Sequence, residues 1–255
     1  MDICIDIHSV IFRYLSNKSQ HKYRKIKKIL LKNEIKELMM YNDRLTDEIL
    51  NNYTKLTELN ISRNKNVTNE CINRFTNLTK LNISYTDHMT DLNAFRKLKI
   101  LVANNSGGFG DYEFKKCTNI EELYITNHSH VSDLNHLTKL KKMEAKGSKG
   151  WIDDYSIQNC SDIEYLDVSG NTNIADINHL TNLQILKINK YYHQSKLCDD
   201  GITRCTKLSE LYLLDNNCVT DISKFTELKK IYISRKTKTR FNDSRKNYQI
   251  KIINQ

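Results

Sequence analysis

A nine-residue frame that recurs along most of the chain is its most constraining feature. The clearest copy covers residues 163–171, where Ile163, Leu166 and Val168 alternate with other residues and Asn171 ends the segment. Such alternation predicts a short strand with one buried side, and the asparagine predicts a turn after it. The frame starts ten times, at intervals of 20 to 25 residues: Ile35, Leu56, Leu78, Leu98, Ile120, Leu140, Ile163, Leu183, Leu208 and Leu228. This period indicates a solenoid, because each strand can bury its apolar side only against neighbouring coils.

The coils between Leu56 and Leu228 alternate in length. Coils of 20 residues alternate with coils of 22 to 25 residues. The return segments of the shorter coils are predicted to be extended or 3₁₀, whereas the longer ones have room for a helical turn or two. Three of the longer coils end in a Cys-x-x-[Leu/Ile]-x-x-Leu junction, at Cys117, Cys160 and Cys205.

With these frames and junctions the chain resembles the leucine-rich-repeat family over nearly 200 residues. Its junctions are similar to the cysteine-containing subclass found in F-box/leucine-rich-repeat proteins. The resemblance implies an α/β fold, a right-handed solenoid of about ten repeats curved like a horseshoe, with the strands on its concave face. We assign the repeat array to residues 35–233.

Residues 1–34 differ from the array, because apolar residues there recur at helical spacing. We predict a helical N-terminal cap, which an open solenoid needs to cover its first coil. Residues 5–16 also resemble the first helix of an F-box, although the proline after the first apolar residue and a tryptophan in a third helix are missing. That resemblance implies that the segment docks the adaptor subunit of a cullin ubiquitin ligase. The adaptor-binding residues would be Ile7, Ile11, Phe12, Tyr14 and Leu15.

Residues 234–255 form a basic C-terminal tail or cap. Within it, residues 248–252 alternate like a strand, and we expect them to pair with or cover the last strand of the array. The positive charge of the chain lies in its two ends, and the array between them is nearly neutral. A nucleic-acid-associated role through these basic ends is therefore a weaker alternative, since no recognised nucleic-acid motif accompanies them.

The predicted location is intracellular. The first residues lack the pattern of a signal peptide, and no apolar run approaches the ~20 residues of a membrane span. Composition and repeat style resemble proteins encoded by large DNA viruses of protists, which would place the protein in a host cytoplasm.

The cysteines are predicted to be structural thiols. Cys117, Cys160 and Cys205 occupy one apolar position of the repeat, two coils apart, which corresponds to ~9–10 Å between them. That exceeds the ~7 Å Cα limit of a disulfide. The states of Cys4, Cys71, Cys198 and Cys218 remain open.

Polar residues recur in the turns. Asp91, Asp133, Asp176 and Asp221 occupy one position two coils apart, where we expect them to cap turns instead of binding a metal. A second turn position is predicted to form a hydrogen-bonded ladder that His128 and Tyr191 interrupt. It holds Asn64, Asn171 and Asn216, and Thr or Ser at Thr86, Ser106 and Ser148. No cofactor or metal is predicted.

The strand positions that face outward are the candidate functional site. The chain has no glycine-rich phosphate loop, no G-x-S-x-G motif and no carboxylate pair in a plausible cleft, so we predict no enzymatic activity. Aromatic and aliphatic residues instead gather on the outward positions after Ile120, which is typical of protein-binding surfaces, although tyrosine also favours strands. The predicted partner-binding residues are Tyr124, Tyr165, Ile185, Lys187, Glu210, Tyr212, Leu214 and Tyr232. The partner is predicted to be a protein.

Overall fold

The computed structural model describes residues 37–39, 45–53, 55–147, 149–190, 193, 195–235 and 248–253. Within 37–39 only the side chain of Leu38 is described. The proposed helical cap and adaptor-binding segment in residues 1–34 lies outside these ranges. Its prediction therefore stays a prediction, as does the assignment of domain boundaries.

Eleven described strands form one parallel sheet in sequence order. The first ten each begin two residues after a frame start, so the solenoid predicted from the frames is confirmed. Hydrogen bonds join each strand in register to the next, so equivalent repeat positions form columns across the sheet. The strands are β1 Glu37–Met39, β2 Glu58–Asn60, β3 Lys80–Asn82, β4 Ile100–Val102, β5 Glu122–Tyr124, β6 Lys142–Glu144, β7 Tyr165–Asp167, β8 Ile185–Lys187, β9 Glu210–Leu213, β10 Lys230–Ile233 and β11 Gln249–Ile252.

The last strand comes from the basic tail. β11 pairs in parallel with β10, which confirms the expectation that residues 248–252 join the last strand of the array. Ile250 and Ile252 align with the buried Ile231 and Ile233, yet they are 48% and 40% exposed. β11 therefore extends the sheet and itself forms its edge among the described residues.

Helical turns occur in the longer coils and in the coil that starts at Ile35, as their length predicts. They are the α-helices α1 Asp47–Leu50, α2 Asn69–Ile72 and α3 Asp111–Phe114, and the 3₁₀ turns η1 Tyr155–Ile157 and η2 Asp199–Ile202. Thr46 and Thr68 cap α1 and α2 by accepting a backbone N–H with their side chains. The described shorter coils return through turns without a helix.

One continuous apolar core runs through the described coils. The Leu and Ile residues at the first, fourth and sixth frame positions are buried from Leu56 to Ile233, with Val168, Ala103, Met143 and Ala145 filling some of these positions. Burial of this kind stabilises by roughly 1.5–3 kcal/mol for each large side chain. It explains how short strands persist without a large disulfide framework.

Three buried cysteines form part of this core as free thiols, as predicted. Each sulfur also lies 3.1–3.5 Å from a carbonyl oxygen of the preceding coil, to which the thiol donates: Cys117 to Leu92, Cys160 to Leu134 and Cys205 to Ile177. Burial raises the pKa of each of these thiols to about 12. They are therefore protonated at neutral pH and are poor nucleophiles.

Cys198 and Cys218 form a disulfide, which the sequence left open. Their Cα atoms are 4.6 Å apart, because the two residues lie on adjacent coils. Cysteines two coils apart are too distant for such a bond, whereas those on adjacent coils are not. Cys71 is a buried free thiol, and Cys4 lies outside the described residues.

The turn aspartates confirm their predicted role. Oδ1 of Asp91, Asp133, Asp176 and Asp221 accepts the backbone N–H two residues later, at 2.7–2.9 Å. A second set at the helical turns accepts backbone N–H groups of the following coil: Asp47 from Thr68, Asp111 from Ser132 and Asp133, Asp154 from Ala175 and Asp176, Asp199 from Thr220 and Asp221. These bonds fix each return segment to its neighbour.

Asn178 joins two coils through both ends of its amide. Nδ2 donates to the carbonyl oxygen of Asp200, and Oδ1 accepts from Arg204 N and Thr203 Oγ1. We expect Asn178→Ala to lower the free energy of unfolding by about 1–2 kcal/mol, because three polar groups lose their partner. Urea denaturation would measure this. Asn159→Ala is the control, since its exposed side chain has no hydrogen bond to another described residue, and a loss as large there would contradict the prediction.

The asparagine ladder is present and has the predicted interruption. Oδ1 of each buried Asn accepts two backbone N–H groups of its own turn, and Nδ2 donates to another coil: Asn64 to Leu45, Asn171 to Ile152 and Asn216 to Ile188. His128 fills the same position and is buried, but its Nε2 has no hydrogen-bond partner among the described residues. Tyr191, the other predicted interruption, lies outside the described residues.

Candidate functional site

The outer face of the sheet from β5 to β11 carries all eight predicted partner-binding residues. Each of these side chains is half-buried, whereas the strand residues between them are buried in the core. Seven lie at the third or fifth frame position, so they belong to two adjacent columns across the strands. Leu214 lies at the seventh position, where its backbone N–H donates to Oδ1 of Asn189.

Lysine and tyrosine side chains alternate across this face in a continuous ladder. Lys142 Nζ lies 5.1 Å from the ring centre of Tyr124 and 4.9 Å from that of Tyr165. Lys187 Nζ lies 5.2 Å from the ring centre of Tyr165 and 4.6 Å from that of Tyr212. These separations fall within the range of cation–π interactions. The lysine chains therefore fill the spaces between rings that lie two strands apart.

The ladder continues to the last strand through a pair of stacked rings. The ring centres of Tyr212 and Tyr232 are 4.0 Å apart, and the ring planes differ by 4°. Lys251 Nζ then lies 5.6 Å from the ring centre of Tyr232. Each side chain is held by its neighbours, so the face has little conformational freedom to lose on binding.

Carboxylates along the ladder are engaged with neighbouring side chains. The hydroxyl of Tyr124 donates to Glu122 at 2.7 Å, and Lys230 Nζ lies 2.6 Å from Glu210. The hydrogen bond from Lys230 lowers the pKa of Glu210, so this carboxylate is charged at neutral pH. The hydrogen bond to Tyr124 raises the pKa of Lys142 and outweighs burial, which acts to lower this pKa.

A small acidic group lies between the two ends of the ladder. Lys146 Nζ is 2.8 Å from Glu144 and 3.8 Å from Asp167. Burial raises the pKa of Asp167, although the hydrogen bonds from Ser169 and the charge of Lys146 oppose this. Tyr165 faces the same group, and its pKa is raised, chiefly by burial. The outer face thus presents both signs of charge around an aromatic ladder.

Sequence reasoning selected the rings but missed most of the charges between them. Lys142 and Lys251 complete the ladder, and Lys230 neutralises Glu210. The available signal was the alignment of frame positions, since Lys142 precedes Tyr165 in the column of third positions and Lys251 follows Tyr232 in the column of fifth positions. The side chain of Ile185, by contrast, lies between Tyr165 and Glu210 in its column and is apolar.

Three exposed aromatic side chains lie on return segments, away from the strands. Tyr112, Tyr155 and Trp151 are 82%, 78% and 60% exposed. Tyr112 and Tyr155 lie at the start of equivalent helical turns two coils apart, Tyr112 as the second residue of α3 and Tyr155 as the first residue of η1. The sequence shows this repetition, although neither tyrosine is among the predicted partner-binding residues.

The other predictions from the sequence concern adaptor binding, metal binding and membrane spans. The adaptor-binding residues Ile7, Ile11, Phe12, Tyr14 and Leu15 lie outside the described residues. Within the described part of the chain, no three His, Cys, Asp or Glu side chains are grouped so that they could hold a metal ion. No helix of that part combines the length and apolar character needed to cross a bilayer.

Solved structures share this fold. An internalin C2 from Listeria monocytogenes is 19% identical with a TM-score of 0.55, and the match covers 74% of this chain and 84% of that one. A leucine-rich-repeat protein from Leptospira interrogans is 18% identical with a TM-score of 0.56, covering 80% of this chain and 62% of its own. The functional domain of InlJ from L. monocytogenes, which includes a cysteine ladder, is 18% identical with a TM-score of 0.52 over 78% of this chain and 49% of its own.

These likenesses establish the leucine-rich-repeat fold, as the repeat frames predicted. No protein-family model and no curated protein sequence matches the chain.

Proposed function

We propose that the chain is a protein-interaction module and that the outer face of β5 to β11 holds its partner. The observation that carries this is the ordered lysine–tyrosine ladder, in which seven strands each contribute one side chain to a single surface. Tyrosine is enriched among residues that dominate binding energies, and a rigid surface loses little entropy on association. The mixture of charges around the rings supplies specificity.

The alternatives have less support. The buried thiols of Cys117, Cys160 and Cys205 are poor nucleophiles, so no catalytic role is proposed for them. The basic ends suggested nucleic acid as a weaker alternative, but the ladder between them mixes both signs of charge.

The ligase-subunit role, the viral origin and the cytoplasmic location stay predictions from the sequence. They depend on residues 1–34 and on composition, which the described coils do not test. The disulfide between Cys198 and Cys218 favours an oxidising compartment over the cytosol, since disulfides persist mainly in oxidising surroundings and are rare in the cytosol.

Affinity capture tests the proposed surface. The full chain is immobilised, exposed to an extract of the source organism, and the retained proteins are identified by mass spectrometry. We expect a variant with Lys187→Glu and Tyr212→Ala to retain at least about tenfold less partner, because it removes the contacts at the centre of the ladder. Circular dichroism would verify that the variant is folded.

Tyr112→Ala is the matched control, since it also removes an exposed aromatic ring but on a return segment. It should retain the partner as the unmodified chain does. Equal retention by the ladder variant, or loss with Tyr112→Ala alone, would place the binding surface elsewhere.

A further inference from the structure

Four residues at the C-terminal end of the outer face form one column. Lys187, Tyr212, Tyr232 and Lys251 occupy the same register position on β8, β9, β10 and β11. Neighbouring strands are ~4.8 Å apart, so the backbones that carry the two lysines are ~14 Å apart. We call these four residues the lysine-bounded strip.

The two lysines of the strip are not neutralised by the described part of the chain. No described carboxylate lies within the 4.0 Å ion-pair distance of Lys187 or Lys251. Asp167 is aligned with Lys187 on the neighbouring strand, and its carboxylate lies 3.8 Å from Lys146 Nζ. Glu210, in the adjacent column, lies 2.6 Å from Lys230 Nζ. The charge of Lys251 also lowers the pKa of Glu210, as the smallest of the effects acting on it. Among the described residues neither ammonium group has a carboxylate partner, so each can bind a carboxylate from another molecule.

The two rings of the strip have their faces covered. Tyr212 and Tyr232 stack on each other, Lys187 lies over the other face of the pair and Lys251 follows at its far end. A nucleic-acid base binds an aromatic side chain through the ring face, so this arrangement disfavours base stacking. The ring edges remain, and aromatic edges carry partial positive charge. Edges and ammonium groups together form a strip that attracts carboxylate and carbonyl oxygens.

We infer that the lysine-bounded strip binds an extended acidic segment of a protein partner, with two carboxylates four residues apart and an apolar or aromatic residue between them. An extended chain advances ~3.3 Å per residue, so four residues span ~13 Å and match the separation of the two lysines. The central residue lies against the edges of the tyrosine pair. Ile185 and Leu214, half-buried beside the strip, add apolar contact area. The inference rests on the proposed function and names its partner's chemistry.

Peptide binding to the full chain tests it. The probe is a fluorescein-labelled peptide Gly-Glu-Ser-Phe-Ser-Glu-Gly, followed by fluorescence anisotropy at low salt. We expect saturable binding that weakens about tenfold with Lys187→Gln or Lys251→Gln, because each removes one charge-assisted contact. A peptide with both Glu replaced by Gln, and one with its two Glu only two residues apart, should bind about tenfold less tightly.

Lys80→Gln is the control, because Lys80 also lies on the outer face but on β3, outside the strip. It should leave the peptide affinity unchanged. Three results would each overturn the inference: no binding of the probe, an affinity of the Lys187→Gln and Lys251→Gln variants equal to that of the unmodified chain, or tighter binding of a labelled oligothymidylate than of the acidic peptide. If any one of these occurs while the ladder variant still loses its captured partner, the acidic segment is refuted and the protein-binding role stands.

Discussion

Replacing Gly201 with alanine is expected to lower the free energy of unfolding by about 3 kcal/mol. Gly201 lies in η2, where a Cβ atom would overlap with the carbonyl oxygen of Ala175 on the preceding coil and lie 2.8 Å from Leu197 Cδ1. A hydrogen bond of 2.8 Å from Ile177 N to Gly201 O joins the same two coils. Because the obstacle is backbone, two coils must separate to admit the methyl group.

Gly150→Ala provides the comparison. A Cβ at Gly150 would meet only the carbonyl oxygen of His128, at 3.4 Å, so the change should alter stability by no more than about 0.5 kcal/mol. Urea denaturation monitored by circular dichroism measures both variants. If Gly201→Ala is as stable as Gly150→Ala, the coils are more loosely packed than the structure shows.

The strands and core were predictable because the solenoid repeats one local rule. A residue such as Leu166 has a single environment, the inside of the stack, and its frame position specifies that environment without knowledge of the rest of the fold. The same holds for the buried thiol of Cys160 and the turn carboxylate of Asp133, whose partners lie at fixed offsets. In a repeat array, local pattern and tertiary contact carry the same information.

The contacts of the candidate site were less predictable because they depend on pairs of residues in different coils. The tyrosines could be selected singly, but the position of Lys142 between Tyr124 and Tyr165 follows only from the register of three strands. The disulfide between Cys198 and Cys218 depends likewise on how the 25-residue coil folds back onto its neighbour. Coils of unequal length break the constant offset on which sequence reasoning relied.

The interruption of the asparagine ladder should make stability depend on pH. Burial lowers the pKa of His128 to about 4, and its Nε2 has no partner among the described residues. The nearby His130 lowers this pKa further, while Asp111 and Asp87 act in the opposite direction. In the unfolded chain the imidazole has a pKa near 6.5, so between about pH 6.5 and pH 4 the unfolded state binds more protons than the folded state. Above pH 6.5 the protonation of His128 therefore does not change the free energy of unfolding. Below pH 6.5 this free energy falls as the pH drops towards 4.

We expect this single residue to account for about 3 kcal/mol of the stability lost between pH 7 and pH 4. His128→Asn removes the titrating ring and introduces the residue that Asn64, Asn171 and Asn216 carry at the same turn position. Urea denaturation at a series of pH values should show a shallower decline for this variant. The difference between the two curves reports the histidine together with its interactions with His130, Asp111 and Asp87. His193→Asn, at an exposed position, should leave the decline unchanged. Parallel curves for the unmodified chain and His128→Asn would mean that the ring is hydrated in the folded state.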